Sequence, residues 1–253
     1  MLKLIVALLA IEKIGNSGGD TLAKRPVFMI ANVVPFYNEV NTEFTFFNGF
    51  SEKQKKKSIN SLHEAFLEDH PSSRVLEISS KSEDPLGVQL SAFNLVIQTK
   101  RKKSYSVESA FQSSKVFENG GPYRDILEMN SKEAKKDTRL KSSGRLLYFD
   151  FFGRRFELSP ATFFYSWLYI NTLSTHINLS NELMNFNAFT DIVFNPEKSI
   201  NCQARSAAVY VSLKKNGLLE KALESKENFL KIVYGEDNDI SICCEQLSFW
   251  DRL

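Results

Sequence analysis

The segment YSVESAFQSSK, residues 105–115, gives the clearest prediction of structure in the middle of this sequence. Ser106 is in the position of a helix N-cap, and Glu108 falls in the first turn after it. A helix is therefore predicted to run from residue 107 towards residue 118 and to stop before the Gly-Gly-Pro sequence at 120–122.

The predicted helix carries four side chains of different chemistry on one face. Glu108, Phe111, Gln112 and Lys115 follow one another at helical spacing, which places an acid, a ring, an amide and an amine along one wall. The same spacing also fits a surface helix with a solvated acid and amine, because residues seven apart cannot pair directly. Spacing alone leaves both interpretations open.

The composition is that of a soluble globular protein. Of 253 residues, 43% are hydrophobic and 25% are charged, which excludes disordered, collagenous and membrane-spanning classes. Thirty-two basic residues against 30 acidic ones give a net charge of only +2, so any attraction to nucleic acid must come from local clusters. The pattern of elements favours an α+β fold, predominantly helical, in a single domain with a few short strands.

Histidine and cysteine are scarce, with three residues of each. No ligand spacing for a metal site is present, and His63, His70 and His176 receive no chemical role. Three cysteines, two of them adjacent, do not form a secreted disulfide framework, so a reducing cytoplasm is expected. The apolar residues 2–11 are too few to span a bilayer and lack a cleavage site, which favours the cytoplasm over export, the alternative.

Four regions are expected along the chain. Residues 1–24, with Asn-Ser-Gly-Gly at 16–19, are predicted to be flexible, residues 25–74 to be an extension packed on the core, residues 75–235 the main domain, and residues 236–253 a tail. Ser51 is predicted to cap an amphipathic helix. Further helices are predicted at 131–143, 160–174, 180–186, 199–215 and 217–232, with strands at 75–78, 146–152 and 188–194.

Several common catalytic motifs are missing from the sequence. It contains no Gly-x-Gly-x-x-Gly, no Walker loop, no His-Glu-x-x-His and no Gly-x-Ser-x-Gly. Dehydrogenase, NTPase, zincin and α/β-hydrolase functions therefore lose their usual support. Carboxylates, amines and amides remain, which suit glycosidic or phosphate-ligand chemistry.

Four segments in order resemble the NADAR (YbiA-like) family. Residues 107–115 are similar to its Ser-Glu-x-x-x-Gln-x-x-Lys helix, residues 80–94 to its Ser-x-x-x-x-x-Gly-x-x-Ser-Asn-Phe loop, residues 134–145 to its Ala-x-x-x-Gly-Arg element, and residues 201–213 to its closing helix. The likeness spans about residues 75–215, which makes the main domain a NADAR-like catalytic domain.

The departures from the family pattern point to one branch. Ser-Ala-Phe-Asn stands at 91–94 in place of Ser-Asn-Phe, Ser109 replaces a frequent histidine, and the run at 192–196 replaces a late Trp-Gly pair. With the amino-terminal extension, these changes resemble the branch encoded beside DarT-type toxins, which ADP-ribosylate DNA bases. A general NADAR enzyme, including the kind that cleaves riboflavin-pathway intermediates, is the alternative.

The resemblance implies an ADP-ribosyl glycohydrolase that needs no metal or cofactor. It would remove ADP-ribose from guanine in DNA, or in RNA or a nucleoside, and so act as antitoxin to the toxin. Glu108 is the candidate acid/base, and Lys115 either forms a Schiff base with the opened ribose or holds the pyrophosphate. Asp191 either contacts ribose hydroxyls or a catalytic cation, or is a structural partner of Arg145 or Arg205.

Ligand-binding and backbone-binding residues complete the expected site. Phe93 and Asn94 would approach the adenine or a ribose, and Tyr165 or Trp167 would stack a base unless they pack in the core. The expected ligand-binding set is Ser91, Phe93, Asn94, Gln112, Arg145, Tyr165, Asn201 and Arg205. Two basic runs are expected to hold the DNA backbone if they flank the cleft: Lys55, Lys56 and Lys57, and Lys100, Arg101, Lys102 and Lys103.

Two non-enzymatic functions remain as alternatives. A reader of ADP-ribose or nucleic acid would bind without turnover. An antitoxin that acts by direct protein contact would use the phenylalanine-rich composition, with 21 residues of this type, as an interface.

Overall fold

The structure is a computed structural model that describes residues 20–49 and 51–235. The predictions for residues 1–19 and 236–253, which include Cys243 and Cys244, lie outside these ranges. Helix makes up 42% and strand 21% of the described residues, so the α+β class is correct but "predominantly helical" overstates the helix content. No helix in the described part of the chain is long and apolar enough to cross a membrane.

The amino-terminal region is a long hairpin covered by one helix. Strands β1 (Thr21–Ile30) and β2 (Tyr37–Phe46) pair antiparallel over their full length, and helix α1 (Glu52–Asp69) packs on β2. The Ser51 hydroxyl accepts a hydrogen bond from the Gln54 amide at 3.3 Å, which confirms the predicted cap.

One four-stranded sheet joins this region to the rest of the chain. Its strand order is β2-β1-β9-β3, where β3 (Val75–Glu77) and β9 (Ala188–Thr190) are parallel and β1 is antiparallel to β9. The sheet therefore crosses the expected domain boundary at residue 74, and β1 begins within the segment expected to be flexible. The β3–β9 register places residue 77 beside residue 190, although the two are far apart in sequence.

The other elements build two small sheets and a set of packed helices. Strands β4 (Val96–Gln98) and β5 (Ser104–Ser106) form one hairpin, and β6 (Lys115–Phe117), β7 (Leu146–Phe151) and β8 (Arg154–Phe156) form an antiparallel sheet. The helices are α2 (Pro85–Gln89), α3 (Val107–Ser113), a 3-10 helix (Arg124–Glu128), α4 (Ser131–Lys136), α5 (Arg139–Ser142), α6 (Phe163–Ser174), α7 (Ile177–Leu183), α8 (Gln203–Lys215), α9 (Leu219–Leu223) and α10 (Lys226–Tyr234).

Helix α6 is the centre of the core. Its residues from 163 to 173 are all buried, as expected for a helix surrounded by protein, and it packs against α3, α8 and α10. Phe164 on this helix lies 4.8 Å from both the Phe149 and Phe156 rings, centroid to centroid. Fourteen of the phenylalanines are buried, so they mainly fill the core. The composition therefore gives no support to a phenylalanine-rich interface.

The predicted helix at 107–118 is correct at its start and wrong at its end. Helix α3 stops at Ser113, because the Ser113 and Ser114 hydroxyls both donate to the Ala110 carbonyl and offer the backbone an alternative to another helical turn. Lys115 instead begins β6, opposite Phe149 of β7. It therefore approaches Glu108 from a strand and not from the same helix face.

Candidate active site

A large cavity of about 940 Å³ lies where α3, β6, α4, α6 and the segment after β9 meet. A volume of this size is at the upper end of the range for small-molecule and cofactor sites. All three residues expected to be catalytic line it, namely Glu108, Lys115 and Asp191. They come from α3, β6 and the end of β9, so only the tertiary fold brings them together.

Glu108 is fixed at the start of α3. The Ser106 hydroxyl accepts from the Ser109 amide at 3.0 Å, and the Glu108 amide itself donates to the Ala92 carbonyl at 2.9 Å. The carboxylate is buried, and its Oε1 accepts a hydrogen bond from Gln112 Nε2 at 2.9 Å. The pairing of Glu108 with Gln112 on one helix face is thus as predicted, and the solvated surface helix is excluded.

Lys115 presents an amine in a poorly hydrated setting. Its Nζ lies 4.9 Å from the centroid of the Phe111 ring. Burial lowers the pKa of this amine to about 8, an effect that the Glu108 charge opposes and the Lys135 charge reinforces. About one amine in ten is therefore neutral at pH 7, and a neutral amine is a nucleophile.

Asp191 follows β9 and turns into the cavity. Its Oδ1 accepts hydrogen bonds from the amides of Val193 and Phe194, at 3.0 and 3.1 Å. Burial, and then the nearby Glu77 carboxyl, raises the pKa of Asp191 to about 8.

The expected structural pairing of Asp191 with an arginine is wrong. Arg145 pairs with Glu118, with 3.2 Å between Nε and Oε1. Arg205 donates from Nη1 to the Ile200 carbonyl at 2.9 Å, and its guanidinium lies over the Phe28 ring. Glu118 is 27 residues from Arg145 in the chain, whereas Arg205 bonds a carbonyl only five residues away and contacts the distant Phe28 ring.

The other expected ligand-binding residues divide into two groups. Those that line the cavity are Ser91, Phe93, Gln112, Tyr165 and Asn201, whereas Asn94, Arg145 and Arg205 lie outside its lining. Asn94 instead donates from Nδ2 to the Val88 carbonyl at 2.9 Å. Its neighbour Phe93 faces the cavity, so the turn at 91–94 separates the two side chains.

Tyr165 and Trp167 belong mainly to the protein interior. Tyr165 is 6% exposed and makes an edge contact with Phe111, with 5.2 Å between centroids, so it forms part of the cavity wall. Burial, and then the Glu108 charge, raises the pKa of its hydroxyl, which therefore stays protonated. Trp167 is 2% exposed and packs in the core, as its alternative interpretation stated.

Two acceptor atoms at the cavity lack a hydrogen-bond partner among the described residues. They are Gln112 Oε1 and Asn201 Oδ1, and both atoms are buried. A buried acceptor without a donor is costly, so these two atoms are positioned to accept N–H or O–H groups of a ligand.

Two further residues at or behind the cavity were missed in the sequence. Lys135 on α4 lines the cavity, with its Nζ 5.3 Å from the Phe93 ring centroid. Glu77 is buried behind Asp191. A charged residue within the apolar strand Val-Leu-Glu-Ile at 75–78 was a signal that could have drawn attention to Glu77.

Neither basic run lines the cavity. On α1, the Nζ atoms of Lys55 and Lys57 lie over the Phe46 and Phe47 rings, and Lys56 is 4.0 Å from Glu83. In the other run, Lys103 forms an ion pair with Glu128 at 2.8 Å. The lysines that line the cavity are instead Lys115, Lys135 and Lys198.

The comparisons with known proteins point to one family. A family model described as "DarT1-associated NADAR antitoxin" matches residues 23–241. The match includes every residue that lines the cavity, and it also includes the amino-terminal hairpin and α1, which the four resembling motifs did not reach. No curated protein matches the chain.

Proposed function

The chain belongs to the family of DarT1-associated NADAR antitoxins, and on that basis we propose that it is an ADP-ribosyl glycohydrolase. It removes ADP-ribose from guanine bases of DNA that a DarT-type toxin has modified. The bond that breaks is N-glycosidic, between C1 of the ribose and a nitrogen of the base. Free ADP-ribose and the unmodified base are the products, and the antitoxin effect is the reversal of the toxin's reaction.

The meeting of Glu108 and Lys115 in one cavity carries this proposal. A buried carboxylate and an amine whose pKa lies near 8 supply the two kinds of group that cleavage at a ribose C1 needs. The volume of about 940 Å³ accommodates a ligand of nucleotide size. The unpartnered acceptors of Gln112 and Asn201 suit the hydroxyls and N–H groups of such a ligand.

Glu108 acts on the transition state. As the bond to the base breaks, positive charge gathers on C1 and the ring oxygen, and a carboxylate in a buried site stabilises that charge more strongly than water does. The base leaves with a proton, and the one water that the reaction consumes enters later, when the Schiff base on Lys115 is hydrolysed. Glu108 serves this step as the acid/base group.

Lys115 is the nucleophile at C1 of the ribose. Its neutral amine forms a bond to C1 as the bond to the base breaks, the ribose ring then opens to give a Schiff base, and one water hydrolyses the Schiff base to the amine and the free sugar. The lowered pKa favours this function over the alternative, which is to hold the pyrophosphate as a cation.

Turnover of a defined substrate tests the enzymatic assignment. The recombinant full chain should release ADP-ribose from a DNA oligonucleotide that carries ADP-ribosylated guanine, and Glu108→Gln should lose about 10²-fold or more in rate. Glu220→Gln, an exposed glutamate on α9, is the matched control and should keep full activity. Full activity in Glu108→Gln would show that the assigned role is wrong.

The same assay separates the alternatives. Saturable binding of the modified oligonucleotide without turnover would identify a reader, and a stable complex with the toxin together with rescue of cells by Glu108→Gln would identify an antitoxin that acts by contact. Turnover of riboflavin-pathway intermediates but not of modified DNA would identify the other kind of N-glycosidase. Parallel RNA and nucleoside substrates define the substrate class.

Reductive trapping tests the function of Lys115. Borohydride added during turnover should attach ADP-ribose to this lysine, and mass spectrometry of the peptide containing residue 115 locates the adduct. Lys115→Arg keeps the positive charge but has no nucleophilic amine, so it should give no adduct and little turnover. Normal turnover by this variant would instead support a phosphate-holding function.

A further inference from the structure

Glu77 holds the chain on both sides of Asp191. Its Oε2 accepts a hydrogen bond from the Thr190 hydroxyl at 2.6 Å, and its Oε1 accepts one from the Ile192 amide at 2.9 Å. Thr190 and Ile192 are the two residues adjacent to Asp191, and Glu77 is only 2% exposed. The carboxylate on β3 therefore fixes the point at which the chain leaves β9 and turns into the cavity.

In all of its hydrogen bonds, the Glu77 carboxylate is the acceptor. The Thr190 hydroxyl has one proton and donates it to Glu77, so His63 Nε2, 2.8 Å from the same oxygen, must be the donor in its contact with Thr190. Burial lowers the pKa of His63 to about 4, which keeps the ring neutral at neutral pH. A carboxyl group that receives only donors is best satisfied when it is ionised.

Asp191 is the second carboxyl of this buried pair. Its Oδ1 accepts the hydrogen bonds from the Val193 and Phe194 amides, which leaves Oδ2 as the oxygen available to the cavity. The other titratable groups that influence Asp191, or that its charge influences, are Lys135 of α4, Tyr165 and Tyr169 of α6, and the Cys202 thiol before α8. Among them only Lys135 is a cation, and it is exposed to solvent.

When two carboxyl groups are buried together without a buried cation, ionisation of both costs much free energy. Burial raises the pKa of both, and hydrogen bonds from Ser79, Thr190 and Ile192 oppose that effect at Glu77. The one proton that the pair keeps therefore resides on Asp191.

From this geometry we propose that Asp191 is the general acid that protonates the departing base, and that Glu77 is the positioning residue that keeps Asp191 in its neutral form. The proposal rests on the function proposed above. As the C1–N bond breaks, its electron pair goes to the base nitrogen, which takes the proton from Asp191 Oδ2. The Lys115 amine adds to C1 and releases a proton to Glu108, which returns it to the ring oxygen as the ribose opens. One water then hydrolyses the resulting protonated Schiff base, and the proton that this hydrolysis releases restores Asp191.

This assignment divides the reaction between two carboxyl groups in different environments. Glu108 stabilises the positive charge at C1 and takes the proton that the Lys115 amine releases, whereas Asp191 supplies the proton to the departing base. When the surroundings of two carboxyl groups in one site move their pKa values apart, one can donate a proton while the other stabilises charge at the same pH. Tyr165 lines the same cavity, where burial raises the pKa of its hydroxyl and the charges of both carboxyls add to that effect.

Leaving-group dependence is the sharpest test. Asp191→Asn should lose at least about 10²-fold on ADP-ribosylated guanine DNA but less than about tenfold on 4-nitrophenyl ADP-ribose, whose leaving group needs no proton. Glu108→Gln should lose activity on both substrates, because both reactions develop charge at C1. Equal losses of Asp191→Asn on the two substrates would overturn the proposal. Failure of the wild-type protein on both substrates would instead overturn the proposed function.

The pH profile tests Glu77 separately. In the wild type, kcat should rise with pH as Lys115 becomes neutral and fall again as Asp191 loses its proton, each with a pKa near 8. Glu77→Gln removes the buried negative charge, so the falling limb should move to lower pH by at least one unit while the rising limb and KM stay unchanged. An unmoved falling limb would overturn the function of Glu77. If Glu77→Gln does not fold, Thr190→Val and His63→Gln, which weaken the same contacts, should move that limb in the same direction.

Discussion

Replacement of Asp191 by asparagine is expected to stabilise the protein at pH 8, although it removes a group that the reaction needs. The pKa of this carboxyl rises from 3.8 to about 8 on folding. Between these values the folded protein keeps a proton that the unfolded chain releases, so this group's contribution to stability is fully present below pH 4 and is lost as pH rises through 8.

The size of the effect follows from the pKa shift. Each pH unit in that window lowers the free energy of unfolding by about 1.4 kcal/mol, which would give about 5–6 kcal/mol for an isolated group. Because the titrations of Asp191 and Glu77 are coupled, we expect only a part of this, a gain in the free energy of unfolding on the order of 2 kcal/mol in Asp191→Asn at pH 8. The asparagine carbonyl can still accept the Val193 and Phe194 amides, so the turn should be preserved.

Urea unfolding between pH 7.5 and 8.5 measures this gain. His63 is almost entirely neutral in both states over that range, because its pKa is about 4 in the folded protein and 6.5 in the unfolded chain, so it does not mask the slope. The midpoint of the wild type should fall with rising pH and that of Asp191→Asn should fall less, at equal m values. Asp20→Asn, at an exposed position, is the control. Parallel midpoints for the wild type and Asp191→Asn would refute the buried, protonated carboxyl.

Three further perturbations test other parts of the structure. Gly121→Ala should lower activity at least tenfold and the free energy of unfolding by about 2 kcal/mol or more. The new Cβ would lie 2.3 Å from the Lys115 carbonyl oxygen, and the φ of residue 121 is +89°. Unchanged Schiff-base trapping in this variant would contradict the prediction. As pH falls from 6.5 to 4, the free energy of unfolding of the wild type should decrease by up to about 1.4 kcal/mol per pH unit more than that of His63→Gln, as measured by urea unfolding. Equal pH slopes of the two proteins would show that the buried ring is not held neutral. Lys135→Gln should raise KM several-fold in steady-state assays, whereas Lys141→Gln, exposed on α5, should not; equal KM values would remove Lys135 from the binding site.

Local sequence signals predicted the parts of the site that depend on neighbouring residues. Ser106 caps α3 and Glu108 lies in its first turn, and the interval of four residues to Gln112 appears as a direct hydrogen bond. These features were readable because capping and i, i+4 contacts involve only one turn of the chain. Ser51 and α1 were predictable for the same reason.

Long-range contacts account for what the sequence could not supply. Glu77 and Thr190 are 113 residues apart in the chain, and their hydrogen bond exists only because β3 and β9 are parallel neighbours. Lys115 was assigned to the wrong element, since two serine hydroxyls that compete for one carbonyl ended the helix early. Pairing of Asp191 with Arg145 was one of the alternatives for this carboxyl, but Arg145 pairs instead with Glu118, 27 residues away in the chain.

The sequence by itself thus determined which chemical groups this protein has for its reaction: a carboxylate and an amide one helical turn apart, an amine seven residues after the carboxylate, and a second carboxylate in an apolar strand. The pKa values of the amine and of the second carboxylate depend on the tertiary structure. Burial beside Phe111 lowers the pKa of Lys115, and burial beside Glu77 raises that of Asp191. Side-chain identity is a local property of the chain, whereas desolvation and charge proximity depend on which distant segments pack together.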